Sequence, residues 1–144
     1  MNIEVKHYAN GNIKSIAIKN EKGDFHNTEG PAYQSWYENG QESRRAYYVN
    51  GKIHNTEGPT VQEWYKNGQG WCRGYFVEGE PHNTEGPAYQ SWYEDGQERC
   101  ISYYVSGEEL TKEEWEKKVN SVTVECEGKT VTISRESAKA LNLM

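Results

Sequence analysis

His26-Asn27-Thr28-Glu29-Gly30-Pro31 returns at residues 54–59 and again at 82–87, a period of 28 residues without drift. An aromatic segment follows each copy: Ala32-Tyr33-Gln34-Ser35-Trp36-Tyr37, then Thr60-Val61-Gln62-Glu63-Trp64-Tyr65, then Ala88-Tyr89-Gln90-Ser91-Trp92-Tyr93. Residues 31–51 and 87–107 agree at 15 of 21 positions. Self-similarity at a fixed period of about 20–50 residues marks a repeat architecture, in which each unit buries its apolar surface against its neighbours.

Glycine turns punctuate the array. Asn10-Gly11, Asn39-Gly40, Asn67-Gly68 and Asp95-Gly96 form one set, and Lys22-Gly23, Asn50-Gly51, Glu78-Gly79 and Ser106-Gly107 a second. Asn-Gly between apolar-bearing runs is a strong hairpin signal, because a type I′ turn takes positive φ at both central positions. Each repeat then reads as strand, tight turn, longer strand, second turn, short extended piece and corner. So many turns leave no room for a 12-residue helix before residue 108. The predicted class is all-β, an elongated single-layer antiparallel sheet of tandem hairpins with about eight strands. It spans 1–110, with repeats near 1–30, 31–58, 59–86 and 87–110, the first degenerate.

A two-residue turn at Asn39-Gly40 would pair Tyr37 with Glu42, Trp36 with Ser43 and Gln34 with Arg45. One face then carries Ala32, Gln34, Trp36, Arg45, Tyr47 and Val49, and the other Tyr33, Ser35, Tyr37, Arg44, Ala46 and Tyr48. Trp36, Trp64 and Trp92 fall in one row and Tyr37, Tyr65 and Tyr93 in another, with Trp71 on the Trp64 face. Both faces are half apolar. That suits a single layer held by cross-strand aromatic pairs, each worth about 0.2–1 kcal/mol.

Beyond the array, Thr111 and Glu114 form a capping box, with Leu110 placed to staple Trp115, for a helix over 111–120 that caps the last repeat. Ser121–Cys126 and Thr130–Ile133 read as a hairpin about Glu127-Gly128-Lys129. Ser134 caps a final short helix whose Ala138 and Leu141 share the Ile133 face. This tail, 121–144, is too small to fold alone.

Composition agrees with a shallow core. Hydrophobic residues make up 34% of the chain, and 11 Tyr and 5 Trp stand against 2 Phe and 2 Met. Tyr and Trp join an apolar body to a polar tip, as a thin structure requires. The net charge is −6; residues 1–110 hold 16 acidic and 10 basic side chains, and 111–144 hold 6 of each. An acidic array argues against nucleic acid and anionic membrane as partners, and permits a basic one. The N-terminus lacks the basic-then-apolar order of a signal peptide, and no apolar stretch nears the roughly 18 residues of a membrane span. A cytoplasmic setting follows, with the three cysteines as free thiols. Cys72 and Cys100, two strands apart at about 9–10 Å, lie beyond a disulfide's reach of about 7 Å.

The units Trp36-Tyr37-Glu38-Asn39-Gly40-Gln41 and Tyr47-Tyr48-Val49-Asn50-Gly51, the recurrent corners and the exit Gly107-Glu108-Glu109-Leu110-Thr111-Lys112-Glu113-Glu114-Trp115 together resemble the MORN-repeat family, in the variant found in tailed-phage and bacterial proteins. The resemblance covers 1–119 and is carried by three near-identical copies. It implies a β-hairpin array with a scaffold, antitoxin-like or protein- or lipid-binding role, and brings no catalytic residue. The acidic charge departs from the lipid-binding relatives.

His26, His54 and His82, each near Glu29, Glu57 or Glu85, are the obvious metal or acid–base candidates. Successive copies would lie about 9–10 Å apart, whereas co-ligands sit about 2 Å from a shared metal. They fit a hydrogen-bonded corner better, and neither metal nor cofactor is expected. Repetition also argues against an enzyme, since an active site is a unique constellation. The functional expectation is a non-enzymatic protein-binding module, a phage-encoded inhibitor that engages a host defence protein through a sheet face. Aromatics and arginines make hot spots, so the candidate contacts are Trp36, Trp64, Trp92, Trp71, Arg44, Arg45, Arg73 and Arg99. Trp71 is the sharpest, because the other repeats carry Ser43 and Arg99 there. The alternative is a structural, assembly or antitoxin-like protein that dimerises through 121–144.

Overall fold

The computed structural model describes residues 1–143, with the side chains of Val122, Val124 and Cys126 outside that description. The chain divides into two compact units, Met1–Glu109 and Leu110–Met144. The first is all-β. Its strands are β1 (Asn2–His7), β2 (Ile13–Lys19), β3 (Tyr33–Trp36), β4 (Glu42–Ala46), β5 (Tyr48–Val49), β6 (Lys52–Ile53) and β7 (Val61–Trp64). There follow β8 (Gly70–Gly74), β9 (Phe76–Val77), β10 (Glu80–Pro81), β11 (Tyr89–Trp92), β12 (Glu98–Val105) and β13 (Glu108–Leu110). Nine of them join in one antiparallel sheet, in the order β1-β2-β3-β4-β7-β8-β11-β12-β13, and β5–β6 and β9–β10 form separate two-stranded ribbons.

The ribbons are the first departure from expectation. The long second strand of each repeat bends after Ala46 and Gly74, while β12 runs through Tyr103 unbroken. At the bend the chain serves two neighbours at once: the Tyr47 amide donates to the Thr60 carbonyl, and the Tyr47 carbonyl accepts from the His54 amide.

The turns are the second. At Asn39-Gly40 only the glycine has positive φ (+86°). The Gly40 amide donates to the Tyr37 carbonyl and the Tyr37 amide to the Gln41 carbonyl, a three-residue loop in place of the predicted two-residue one. Asn39 has its own reason to stay at negative φ. Its Oδ1 accepts the Gln41 amide at 2.9 Å and its Nδ2 donates to the Lys66 carbonyl of the next repeat at 3.1 Å. Lys22-Gly23 closes in the same way. In the array the turns with positive φ at both positions are Asn50-Gly51, Glu78-Gly79 and Ser106-Gly107, and the C-terminal hairpin adds Glu127-Gly128.

The core is shallow, as the composition implies. The buried apolar side chains of the array are Ala17, Ala32, Ala46, Ala88 and Cys72, joined by Ser15, Thr60 and Ser91. At Gly74 the Phe76 ring closes over this seam of small residues: a Cβ there would lie 2.8 Å from the ring.

Hydrogen bonds between repeats complete the array. The hydroxyls of Tyr8, Tyr37 and Tyr65 donate to the carbonyls of Trp36, Trp64 and Trp92 at 2.7, 2.8 and 3.0 Å. Asn67 Nδ2 likewise reaches the Glu94 carbonyl. At the last turn Asp95 keeps the internal bond to the Gln97 amide, and having no amide group it cannot make the outward one.

The second unit has α1 (Lys112–Val119), β14 (Ser121–Cys126), β15 (Lys129–Ser134) and α2 (Arg135–Ala140). The capping box at Thr111 and Glu114 is formed, and Ser134 Oγ accepts the Ser137 amide at the start of α2. Ala138 is buried, whereas Leu141 does not join it: the helix stops at that residue, which is 62% exposed.

Candidate interaction surface

The eight candidate residues occupy both faces, and a bulge decides which. Ser35 pairs with Arg44 but Trp36 pairs with Glu42, so Ser43 is an extra residue. The second and third hairpins repeat the irregularity at Trp71 and Arg99. A bulge sets two side chains against one partner on the same face. Ser43 Oγ accordingly lies 2.8 Å from Ser35 Oγ, and Trp71 packs on Tyr65 with ring centroids 6.2 Å apart. Trp71 therefore sits on the Tyr face, not on the Trp64 face as the two-residue register predicts. Arg99 joins it there, over Tyr93 at 5.7 Å. Glu42 moves the opposite way, off the Tyr face.

On the Trp face the indoles interleave with guanidinium groups. Arg45 lies over Trp64 at 5.6 Å and Arg73 over Trp92 at 5.5 Å. Such contacts contribute about 0.5–1 kcal/mol each where part-exposed. In the first repeat Glu42 completes the arrangement. Its carboxylate accepts Arg45 Nε at 2.9 Å and Nη2 at 2.8 Å, and Gln34 Nε2 approaches the same carboxylate at 3.4 Å. In the second repeat Gly70 stands in the place of Glu42. Arg73 turns to the amide oxygen of Gln90, and its Nε is buried without a hydrogen-bond partner. A cleft of about 270 Å³ opens beside it, lined by Gln62, Trp64, Gly70, Arg73 and Trp92. Of the other hollows, those of about 710 and 450 Å³ lie between successive corners, one of about 340 Å³ lies between Arg73, Gln90 and the third corner, and one of about 470 Å³ lies in the C-terminal unit.

On the Tyr face Glu63 is the hub. Arg44 Nη1 donates to it at 2.8 Å and the Cys72 thiol at 3.2 Å. Burial, then the Glu63 carboxylate, push the Cys72 thiol up to about 12 from its ordinary 9.0. The Tyr37 phenol is raised by burial first and by Glu63 second. A thiol held protonated beside a carboxylate is a weak nucleophile. Cys100 is exposed, and both thiols are free.

The corner histidines act as acceptors. Nδ1 of His26, His54 and His82 receives the backbone amide of Asn50, Glu78 and Ser106 at 3.0, 3.0 and 2.9 Å, pinning the turns with two positive φ values. Asn27, Asn55 and Asn83 close the corner itself through the Pro31, Pro59 and Pro87 carbonyls. Among the described residues no group of three or more His, Cys, Asp or Glu side chains is placed to hold a metal ion, and no helix is long and apolar enough to cross a membrane.

Residue reasoning missed Glu42, Gln34, Gly70 and Glu63. The Glu-to-Gly change at 70 was visible in the alignment of the repeats; its meaning depends on the bulge. Comparison of the chain with protein-family models, curated proteins and solved structures returns no match.

Proposed function

We propose that the chain is a non-enzymatic protein-binding repeat module whose Trp–Arg sheet face, centred on the second repeat, occupies a protein partner. The observation that carries this is the departure of the second repeat from its neighbours where the scaffold makes no demand. Gly70 replaces Glu42 and Glu98, and the result is a cleft on one face. Trp71, which replaces Ser43 and Arg99 with an indole 39% exposed, lies on the other face and serves as the control. A repeat drawn only for stability would keep the residues its neighbours use. The groups that could do chemistry are spent on structure: the histidines on backbone amides, Cys72 on Glu63. The MORN-like pattern supports the same class, and inhibition of a host protein by a phage-encoded chain is the form it suggests.

The test separates the two faces. Partner capture from host lysate by the immobilised full chain is compared with capture by Arg73→Ala and by Trp71→Ala, each checked by thermal unfolding. Arg73→Ala is expected to abolish capture, while Trp71→Ala retains it, with both melting near the parent. Capture that survives Arg73→Ala, or is lost only together with the fold, removes the Trp–Arg face as the binding surface.

A second reading has its own support. In the C-terminal unit Leu141, Leu143 and Val131 are 62%, 51% and 43% exposed, which fits self-association through 121–144. Light scattering decides it: Leu141→Asp with Leu143→Asp should convert a dimer to a monomer, and a monomeric parent ends the idea.

A further inference from the structure

The first three full hairpins make a comparison set at one pair of positions. The first carries Glu42 and Arg45, the second Gly70 and Arg73, the third Glu98 and Ile101. Only the first has both acid and base, and there they form a two-pronged ion pair with Arg45 over Trp64. The second keeps the base, its indole (Trp92) and its glutamine (Gln62), but has a cleft where the acid would stand. We infer, resting on the binding role proposed above, that this cleft receives one aspartate or glutamate side chain of the protein partner, held as Glu42 is held.

Three features argue for that occupant. First, Arg73 Nε is the atom equivalent to the Arg45 Nε that Glu42 engages, and it is a buried donor without an acceptor. A planar fork of this kind matches a carboxylate with two parallel bonds, the second from Nη2, which carries two N–H groups and donates one of them to Gln90. Gln62, in the place of Gln34, offers the third donor. Second, about 270 Å³ falls below the roughly 300–1,000 Å³ of small-molecule pockets and suits one side chain. The Trp64 and Trp92 indoles supply apolar walls for its methylene stem. Third, Glu63 borders the cleft, but its carboxylate is on the Tyr face with both oxygens engaged by Arg44 and Cys72, so it does not supply the missing acid. The array is acidic overall, so the site selects a single acid in an otherwise neutral or basic surface, not an acidic tract.

Gly70 also provides the control. Its φ is not in the left-handed region, and a Cβ built there meets nothing closer than the Trp92 ring at 4.0 Å. Gly70→Glu can therefore fold, and it fills the cleft with the chain's own carboxylate.

The probe is the blocked peptide Ac-Gly-Glu-Gly-NH2, titrated into the full-length protein while the indole N–H resonances of Trp64 and Trp92 are followed by NMR. Saturable shifts at these two indoles are expected. The Gln analogue of the peptide should give none, and Gly70→Glu and Arg73→Gln should each weaken binding by at least about tenfold, the scale of a lost charge-assisted pair. Acetate tests for a free carboxylate: shifts as large as the peptide's at equal concentration would overturn assignment to a protein side chain. No shift with either probe, or equal shifts in Gly70→Glu, overturns the cleft as a carboxylate site. If the peptide fails while Arg73→Ala still abolishes partner capture, the binding face stands and this chemistry falls.

Discussion

The first and second repeats share a backbone plan and differ in what their side chains leave unfinished. In the first, Arg45 is closed by Glu42 and Arg44 reaches across to Glu63. In the second, Arg73 lacks its acid, Cys72 replaces Arg44, and the seam is rebuilt with Thr60, Gly74 and Phe76 where the first repeat has Ala32, Ala46 and Tyr48. Thr60 Oγ1 both donates to the Phe76 carbonyl and accepts the Phe76 amide, at 3.0 and 2.7 Å. The scaffold thus tolerates exchange in linked sets, and the set in the second repeat frees an arginine.

The steepest way to break this comparison is at the seam. Gly74→Ala drives a methyl group into the Phe76 ring, and overpacking should cost about 1–3 kcal/mol. Urea unfolding would show it, with Phe76→Leu in the same chain recovering much of the loss. An unchanged midpoint would mean that the ring moves freely and that the sets are not linked.

Cys72 against Arg44 gives a pH-dependent contrast. With the folded thiol raised to about 12 from 9.0, the native state holds this proton where the unfolded chain releases it. The contribution is present below about pH 9 and is lost as pH rises toward 12, by at most about 1.4 kcal/mol per unit. Melting temperature should fall over that window, and less so in Cys72→Ala. Some fall will remain, because burial also raises the phenols of Tyr37, Tyr89 and Tyr104. Iodoacetamide at pH 8 should label Cys100 well before Cys72.

The smallest effect sharpens the comparison most. Glu42→Gln leaves Arg45 in the condition of Arg73 and should cost up to about 1 kcal/mol, since the pair is part-exposed. Gly70→Glu should recover a similar amount in the second repeat. Equal and opposite shifts in chemical denaturation would establish that the two sites are versions of one; no shift in either would make the fork irrelevant to stability.

Much of this was legible in order. The 28-residue period located the turns of the three full repeats, and the capping residues Thr111 and Ser134 located both helices, because caps and glycine turns are set by atoms within a few residues of one another. Face assignment was legible for Trp36, Trp64, Arg45 and Arg73. It failed for Trp71 and Glu42, because along a regular strand residues three apart point to opposite faces and only an inserted residue reverses that.

By itself, then, the sequence determined an all-β array with its periodicity, its hairpins and its helix ends, all of them short-range properties. The tertiary structure decided the rest. The outward bond of Asn39 to the following repeat accompanies a three-residue loop, the bulge beyond that loop sends Ser43 and its equivalents to the other face, and the same shift brings Glu42 onto Arg45. The same loop and bulge form at Asp95, which makes no outward bond, so they are decided by pairing across each hairpin, and the alternation of a regular strand does not encode that pairing.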